Sequence, residues 1–172
     1  MTKKVKVWDG AVRLFHWSLV LSFIGAWISA DDFEKIHIKL GYLIIGLVGF
    51  RIIWGFVGSE YARFSQFVRG PSTVMAYLRD ILKGREKRYL GHNPAGAAMI
   101  VVLLIGILGL CLTGWMYTTD QFWGVDWVEE AHELLAYGLL ACVGCHLLGV
   151  FIASKRHGEN LVVSMVTGQK DT

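Results

Sequence analysis

Four long apolar runs organise the chain, near residues 12–30, 37–57, 95–117 and 131–153. Each is about 20 residues, the length of α-helix that crosses a bilayer. The two prolines, Pro71 and Pro94, fall outside the runs and interrupt none of them. The pattern predicts an all-α chain: one integral membrane four-helix bundle filling residues 1–172, with no room for a second domain. The first run has some marks of a signal peptide, because Lys3, Lys4, Lys6 and Arg13 lie at its start and Ala30 is a small residue near its end. Its length, and bulky Ile28 where a cleavage site wants a small side chain, predict a retained helix instead.

The polar stretches between the runs also carry signals. In the segment 58–94, Gly70-Pro71-Ser72 reads as a turn followed by a helix N-cap. Val74, Met75, Leu78, Ile81 and Leu82 then recur at helical spacing, accompanied by Arg79, Lys83, Arg85, Lys87 and Arg88. This predicts a short basic amphipathic helix on the membrane surface. In Gly91-His92-Asn93-Pro94, Asn93 suits an N-cap and Pro94 the first helical position, so the third span starts there. Trp17, Trp27, Trp54, Trp115, Tyr117, Trp123 and Trp127 fall near span ends, where aromatic rings anchor at the interface.

Composition agrees with a membrane chain. Of 172 residues, 54% are hydrophobic and only 18% charged, and the mean hydropathy is +0.47, a balance rare in soluble domains. Charge then orients the bundle. Of the 17 basic residues, all but Lys35 and Lys39 fall in segments that share a side with the N-terminus. The opposite side carries Asp31, Asp32, Glu34, Asp120, Asp126, Glu129, Glu130 and Glu133. The positive-inside rule places both termini in the cytoplasm. The same bookkeeping accounts for the basic segment, so nucleic acid is not an expected partner; membrane lipid is. Cys111, Cys142 and Cys145 all lie within spans and read as small apolar packing residues, not a disulfide set.

Ionisable side chains inside a membrane span are costly and are functional candidates by default. His16, His37, His132 and His146 lie in or at the ends of spans. Alternating span direction puts His16 and His146 near the cytoplasmic side, and His37 and His132 near the outer side. On span four, His132 and His146 are nearly four helical turns apart, hence on one face and separated by about 21 Å along the axis. Two His–His pairs at two depths in a four-helix bundle suit two stacked haems, since imidazole is a standard axial ligand and bundle cores hold cofactors. Arg51 follows His37 by the same interval and falls at the level of the cytoplasmic pair, where its guanidinium either meets a haem propionate or reaches out to the interface. His92 and His157, outside the spans, read as loop or headgroup residues. Gly41, Gly46, Gly49, Ala136, Gly138, Ala141, Gly144 and Gly149 serve either a close-lying porphyrin or ordinary helix contacts.

One string complicates the haem type. Cys142-Val143-Gly144-Cys145-His146 is a literal C-x-x-C-H, the mark of covalent c-type attachment. Here it lies inside a membrane helix near its cytoplasmic end, away from the compartment where attachment occurs. Only His146 is therefore expected to carry chemistry, and the haem is expected to be non-covalent haem b.

These residues resemble the bacterial cytochrome b561 and Ni/Fe-hydrogenase b-type cytochrome family of four-helix dihaem membrane proteins. The matching pieces are Arg13-Leu14-Phe15-His16-Trp17, Ile36-His37 with Gly41, Gly91-His92-Asn93-Pro94, then His132-Glu133, Ala136, Gly138, Gly144 and His146, and the tail Glu159-Asn160-Leu161. The resemblance covers essentially the whole chain. It implies haem ligation by His16, His37, His132 and His146, and electron exchange with quinone or a redox partner. Two functions stay open: a quinone-linked oxidoreductase acting on a small periplasmic substrate, or a membrane anchor relaying electrons for a hydrogenase, dehydrogenase or periplasmic cytochrome c. From another class, a haem-free metal or proton transporter would line its path with the same histidines.

Overall fold

The structure is a computed structural model and describes residues 4–171. In chain order it comprises a short strand β1 (Lys4–Lys6), helices α1 (Gly10–Ile28) and α2 (Glu34–Val57), a turn of 3-10 helix at Glu60–Ala62, helices α3 (Phe64–Phe67), α4 (Pro71–Leu82), α5 (Pro94–Tyr117), α6 (Asp126–His157) and α7 (Leu161–Thr167), and strand β2 (Gln169–Asp171). α1, α2, α5 and α6 are each long and apolar enough to cross a membrane. Their outer surfaces agree: Leu14, Leu21, Ile53, Ile105, Leu134 and Leu148 are all more than half exposed. Such side chains meet lipid at no cost, whereas in water they would form an apolar patch far larger than a soluble monomer carries.

Side-chain caps begin three of the helices. Asp9 Oδ1 accepts from Val12 N at 2.8 Å before α1, Asn93 Oδ1 from Gly96 N at 2.8 Å before α5, and Asn160 Oδ1 from Val163 N at 2.9 Å before α7. α5 therefore starts as Asn93-Pro94 implies. α4 instead starts at Pro71 with Gly70 as its cap residue and no side-chain cap, because proline is itself preorganised for the first helical position. α1 stops at Ile28, where Ser29 donates from both N and Oγ to Gly25 O. α6 extends past its apolar run at both ends; Asp126 and Glu129 suit its N-terminal dipole, and Lys155 and Arg156 its C-terminal one.

α1 packs on α2 and α5 on α6, and contact between α2 and α5 joins the two hairpins; α6 meets the first hairpin through side chains, Tyr137 against Trp27 and His132 against His37. Glycines bring the helices of each hairpin together. A Cβ at Gly25 would stand 3.0 Å from Leu40, and one at Gly106 2.7 Å from Leu139. The centre of the bundle is an apolar layer of Ile44, Val48, Ile107 and Leu139, flanked by Leu19 and Phe23.

An all-α description is incomplete. β1 and β2 pair antiparallel, with Lys4 opposite Asp171 and Lys6 opposite Gln169. Strands of three residues are too short to carry a period-two pattern, and their partner lies at the opposite end of the chain, so no local signal announces them. The pairing brings both termini to one end of the bundle, called here the terminal end.

Candidate functional site

At the end remote from the termini, His37 and His132 face one another with ring centroids 6.0 Å apart. His37 lies in the first turns of α2, and its Nδ1 is 2.8 Å from Ala26 O of α1. A carbonyl only accepts, so Nδ1 carries the proton and Nε2 presents its lone pair. His132 Nδ1 is 3.0 Å from Thr113 Oγ1 of α5, and that hydroxyl lies within 3.1 Å of Gly109 O and 3.0 Å of Leu110 O. With the hydroxyl proton donated to the backbone, Thr113 Oγ1 accepts from His132 Nδ1, and Nε2 is again the free nitrogen. α5 also makes room for the ring: a Cβ at Gly114 would stand 2.9 Å from His132 Cε1. With metal–imidazole bonds of roughly 2 Å, as at zinc, two imidazoles held trans on one metal have ring centres roughly 6 Å apart. The observed spacing fits that requirement.

At the terminal end lie His16 of α1 and His146 of α6. His16 is set differently from the other pair. Its Nδ1 is buried without a hydrogen-bond partner among the described residues, and its ring stands edge-on to Trp17 at 5.1 Å. Arg51 does not reach out to the interface. It is 4% exposed, its Nη2 donates to Ala62 O at 3.1 Å, and its guanidinium lies 4.8 Å from the Phe64 ring centre and 5.9 Å from that of Phe67. Arg51 Nη1 has no partner among the described residues. A buried guanidinium with an unused donor is a place for a carboxylate.

His92 lies in the loop just before α5, outside the spans, as expected from the sequence. Its ring packs 4.6 Å from Trp8 and 4.9 Å from Phe67, centre to centre, contacts the sequence did not announce. Burial first, and then the charges of Arg51, Lys170, His146 and His16, hold its pKa down to about 3. The available signal was its position: it immediately precedes the Asn93 cap, which ties it to the start of a span. Thr113 and Gly114 were also missed; the signal there was a hydroxyl beside a glycine in an otherwise apolar run. His157 ends α6 and lines a surface pocket with Gly84, Glu86 and Arg156.

The apolar layer of Ile44, Val48, Ile107 and Leu139 lies between the two histidine levels, since Leu139 is midway between His132 and His146 on α6 and Ile44 midway between His37 and Arg51 on α2. Among the described residues no group of three or more His, Cys, Asp or Glu side chains is placed to hold a metal ion. Open space borders Gly41, Gly138 and Gly144, where an added Cβ meets nothing within 4 Å. The cysteines are free thiols, and Cys142 and Cys145 sit inside the continuous helix α6.

The family model of prokaryotic cytochrome b561 matches residues 7–168. A protein of Rhodobacter capsulatus described as a probable Ni/Fe-hydrogenase B-type cytochrome subunit is 26% identical over 96% of this chain and 81% of its own length. One of the same description from Azotobacter vinelandii is 28% identical over 73% of this chain, and one from Cupriavidus necator is 27% identical over 74%. The alignments cover 64% of the Azotobacter and Cupriavidus proteins, just under two thirds of each. No solved structure matches the chain.

Proposed function

Because this chain belongs to the prokaryotic cytochrome b561 family, a family of membrane b-type cytochromes, we propose that it is a dihaem electron carrier in which His16 and His146 hold one haem b and His37 and His132 the other. The observation that carries the reading is the facing pair of imidazoles His37 and His132, with ring centres 6.0 Å apart. His16, His146, His37 and His132 would hold the haems through imidazole nitrogens, and the bound groups would supply one-electron transfer. The chain's own residues do the rest. Ala26 O and Thr113 Oγ1 take the Nδ1 protons of His37 and His132, which fixes the rings and raises the basicity of the ligating nitrogens. Arg51 holds a propionate at the terminal end through its unused Nη1 donor. The central apolar layer keeps water out between the levels. Cys142 and Cys145 form no bond to haem.

The terminal end faces the cytoplasm of a bacterial inner membrane, in line with the positive-inside distribution. α4 lies on that surface: Met75, Leu78 and Leu82 are exposed on a helix that also bears Arg79. The electron partners are quinone on one hand and a redox protein on the other. The descriptions of the Rhodobacter and Azotobacter relatives favour a relay subunit serving a hydrogenase or dehydrogenase, and the acidic face opposite the termini offers a docking surface to a periplasmic cytochrome c or oxidoreductase. A quinone-linked oxidoreductase acting on a small periplasmic substrate uses the same two haems.

A pyridine haemochrome assay on the purified chain tests the haem assignment. It should give two haem b per chain, all removed from the polypeptide by acid–acetone. His132→Ala and His146→Ala should each leave one. A chain with no haem, one haem, or haem that stays with the polypeptide overturns the reading.

A further inference from the structure

Both ends of the chain close on the turn of α1 that carries His16. β1 and β2 pair, and Val7 N and Trp8 N both donate to Gly168 O at 2.8 and 3.1 Å. Arg13, one turn before His16 on the same face, donates through Nη1 to Val166 O. Trp17, next to His16 and edge-on to its ring, directs Nε1 to Met165 O at 3.4 Å. The second strand is itself anchored. Lys170 is 6% exposed, and its Nζ lies 3.2 Å from Glu159 Oε1 and 3.5 Å from Tyr89 O; Glu159 Oε2 also takes Arg88 at 3.3 Å. Trp8, held by Gly168, packs on His92. Gly168 is the pivot. Its φ is +81°, and a Cβ there would stand 2.6 Å from Trp8 O and 3.3 Å from Arg13 Nε, so a larger residue is excluded twice, by backbone conformation and by space.

His37 and His132 are oriented through Nδ1 by an acceptor on a neighbouring helix. His16 has no such partner among the described residues, so its ring orientation must come from what packs around it. We propose that the clasp made by residues 4–8 and 161–171 is the positioning element for His16, and through it sets the potential of the haem at the terminal end while leaving the other haem alone. Ring orientation and solvent exclusion are levers by which a protein tunes haem iron. Arg13 and Trp17 transmit the clasp to the turn of α1 on either side of the ligand; neither touches the metal. The inference rests on the reading of His16 as an axial ligand, and the presence of two haems provides an internal control.

The test is a spectroscopic redox titration, with ferric low-spin EPR, of the full-length protein in lipid nanodiscs, comparing wild type with Gly168→Val and with Trp17→Phe, which keeps an aromatic ring but removes the donor to Met165 O. The two haems are assigned with Gly114→Ala, which crowds His132 and so marks the far haem. In both clasp variants the potential and EPR signature of the terminal-end haem should shift, with haem content still at two and the far haem unchanged. Should Gly168→Val prevent folding, Trp17→Phe decides alone. Wild type titrating as fewer than two haems overturns the functional reading on which the clasp depends. Two haems that both stay put, or that move together by equal amounts, overturn the clasp itself.

Discussion

His92 shows how strongly a side chain's properties depend on contacts remote in sequence. Packed against Trp8 and Phe67, it has its pKa held down to about 3 by burial and by the charges around it. The unfolded chain protonates it near its ordinary value of about 6.5. Between those two values the unfolded state binds more protons, so stability is full above about pH 6.5 and is lost progressively as pH falls toward the folded value. Thermal unfolding followed from pH 7.5 to 5 should therefore show a decline in wild type that is shallower in His92→Gln. Asp9 shifts the opposite way in charge. Burial raises its pKa, but hydrogen bonds from Ser59, Val12 N and Trp54 outweigh burial and leave it lowered, so the stability it lends is lost only below the ordinary aspartate range. The placement of His16, His37, His132 and His146 on long apolar helices was legible because a membrane span makes any ionisable group conspicuous. The packing of His92 was not, because it is made by a residue of the N-terminal segment and one of α3, neither of which marks it in sequence.

At the level of single helices, α5 has a task its apolar sequence hides. It provides the niche for a residue of α6, with Thr113 taking the Nδ1 proton of His132 and Gly114 leaving space for the ring. Gly114→Val should displace His132 and remove one of the two haems, read as a halved haemochrome signal, while the helix itself loses little because valine is acceptable in a membrane helix. Thr113→Val should keep both haems but shift the potential of one, since the ring stays while its second partner goes. The existence of the spans was legible from run length alone, and so was the start of α5, because Asn93-Pro94 is a capping signal that needs no tertiary partner. The far ends of α6 were not, since its polar first and last turns are held by charge–dipole fit and by packing. The β1–β2 ribbon was invisible for a related reason: neither half is a strand until the other end of the chain arrives.

For the molecule as a whole, the ribbon commits both termini to one side, so a single measurement of side determines the orientation of every span. In a background with Cys111, Cys142 and Cys145 replaced by alanine, Asp120→Cys should react with a membrane-impermeant maleimide on intact spheroplasts, and Asp171→Cys only after permeabilisation. The reverse pattern would invert the proposed topology and move the acidic face to the cytoplasm. The apolar layer of Ile44, Val48, Ile107 and Leu139 has a consequence of its own at this scale. It separates the two histidine levels along the direction in which a cell's transmembrane voltage falls. A charge passed from one level to the other does electrical work against that voltage, up to about 2.3 kcal/mol per 100 mV for a full crossing. On the proposed two-haem reading, the layer is the dielectric of a small capacitor, and the energised state of the membrane would bias which of the two sites holds the electron.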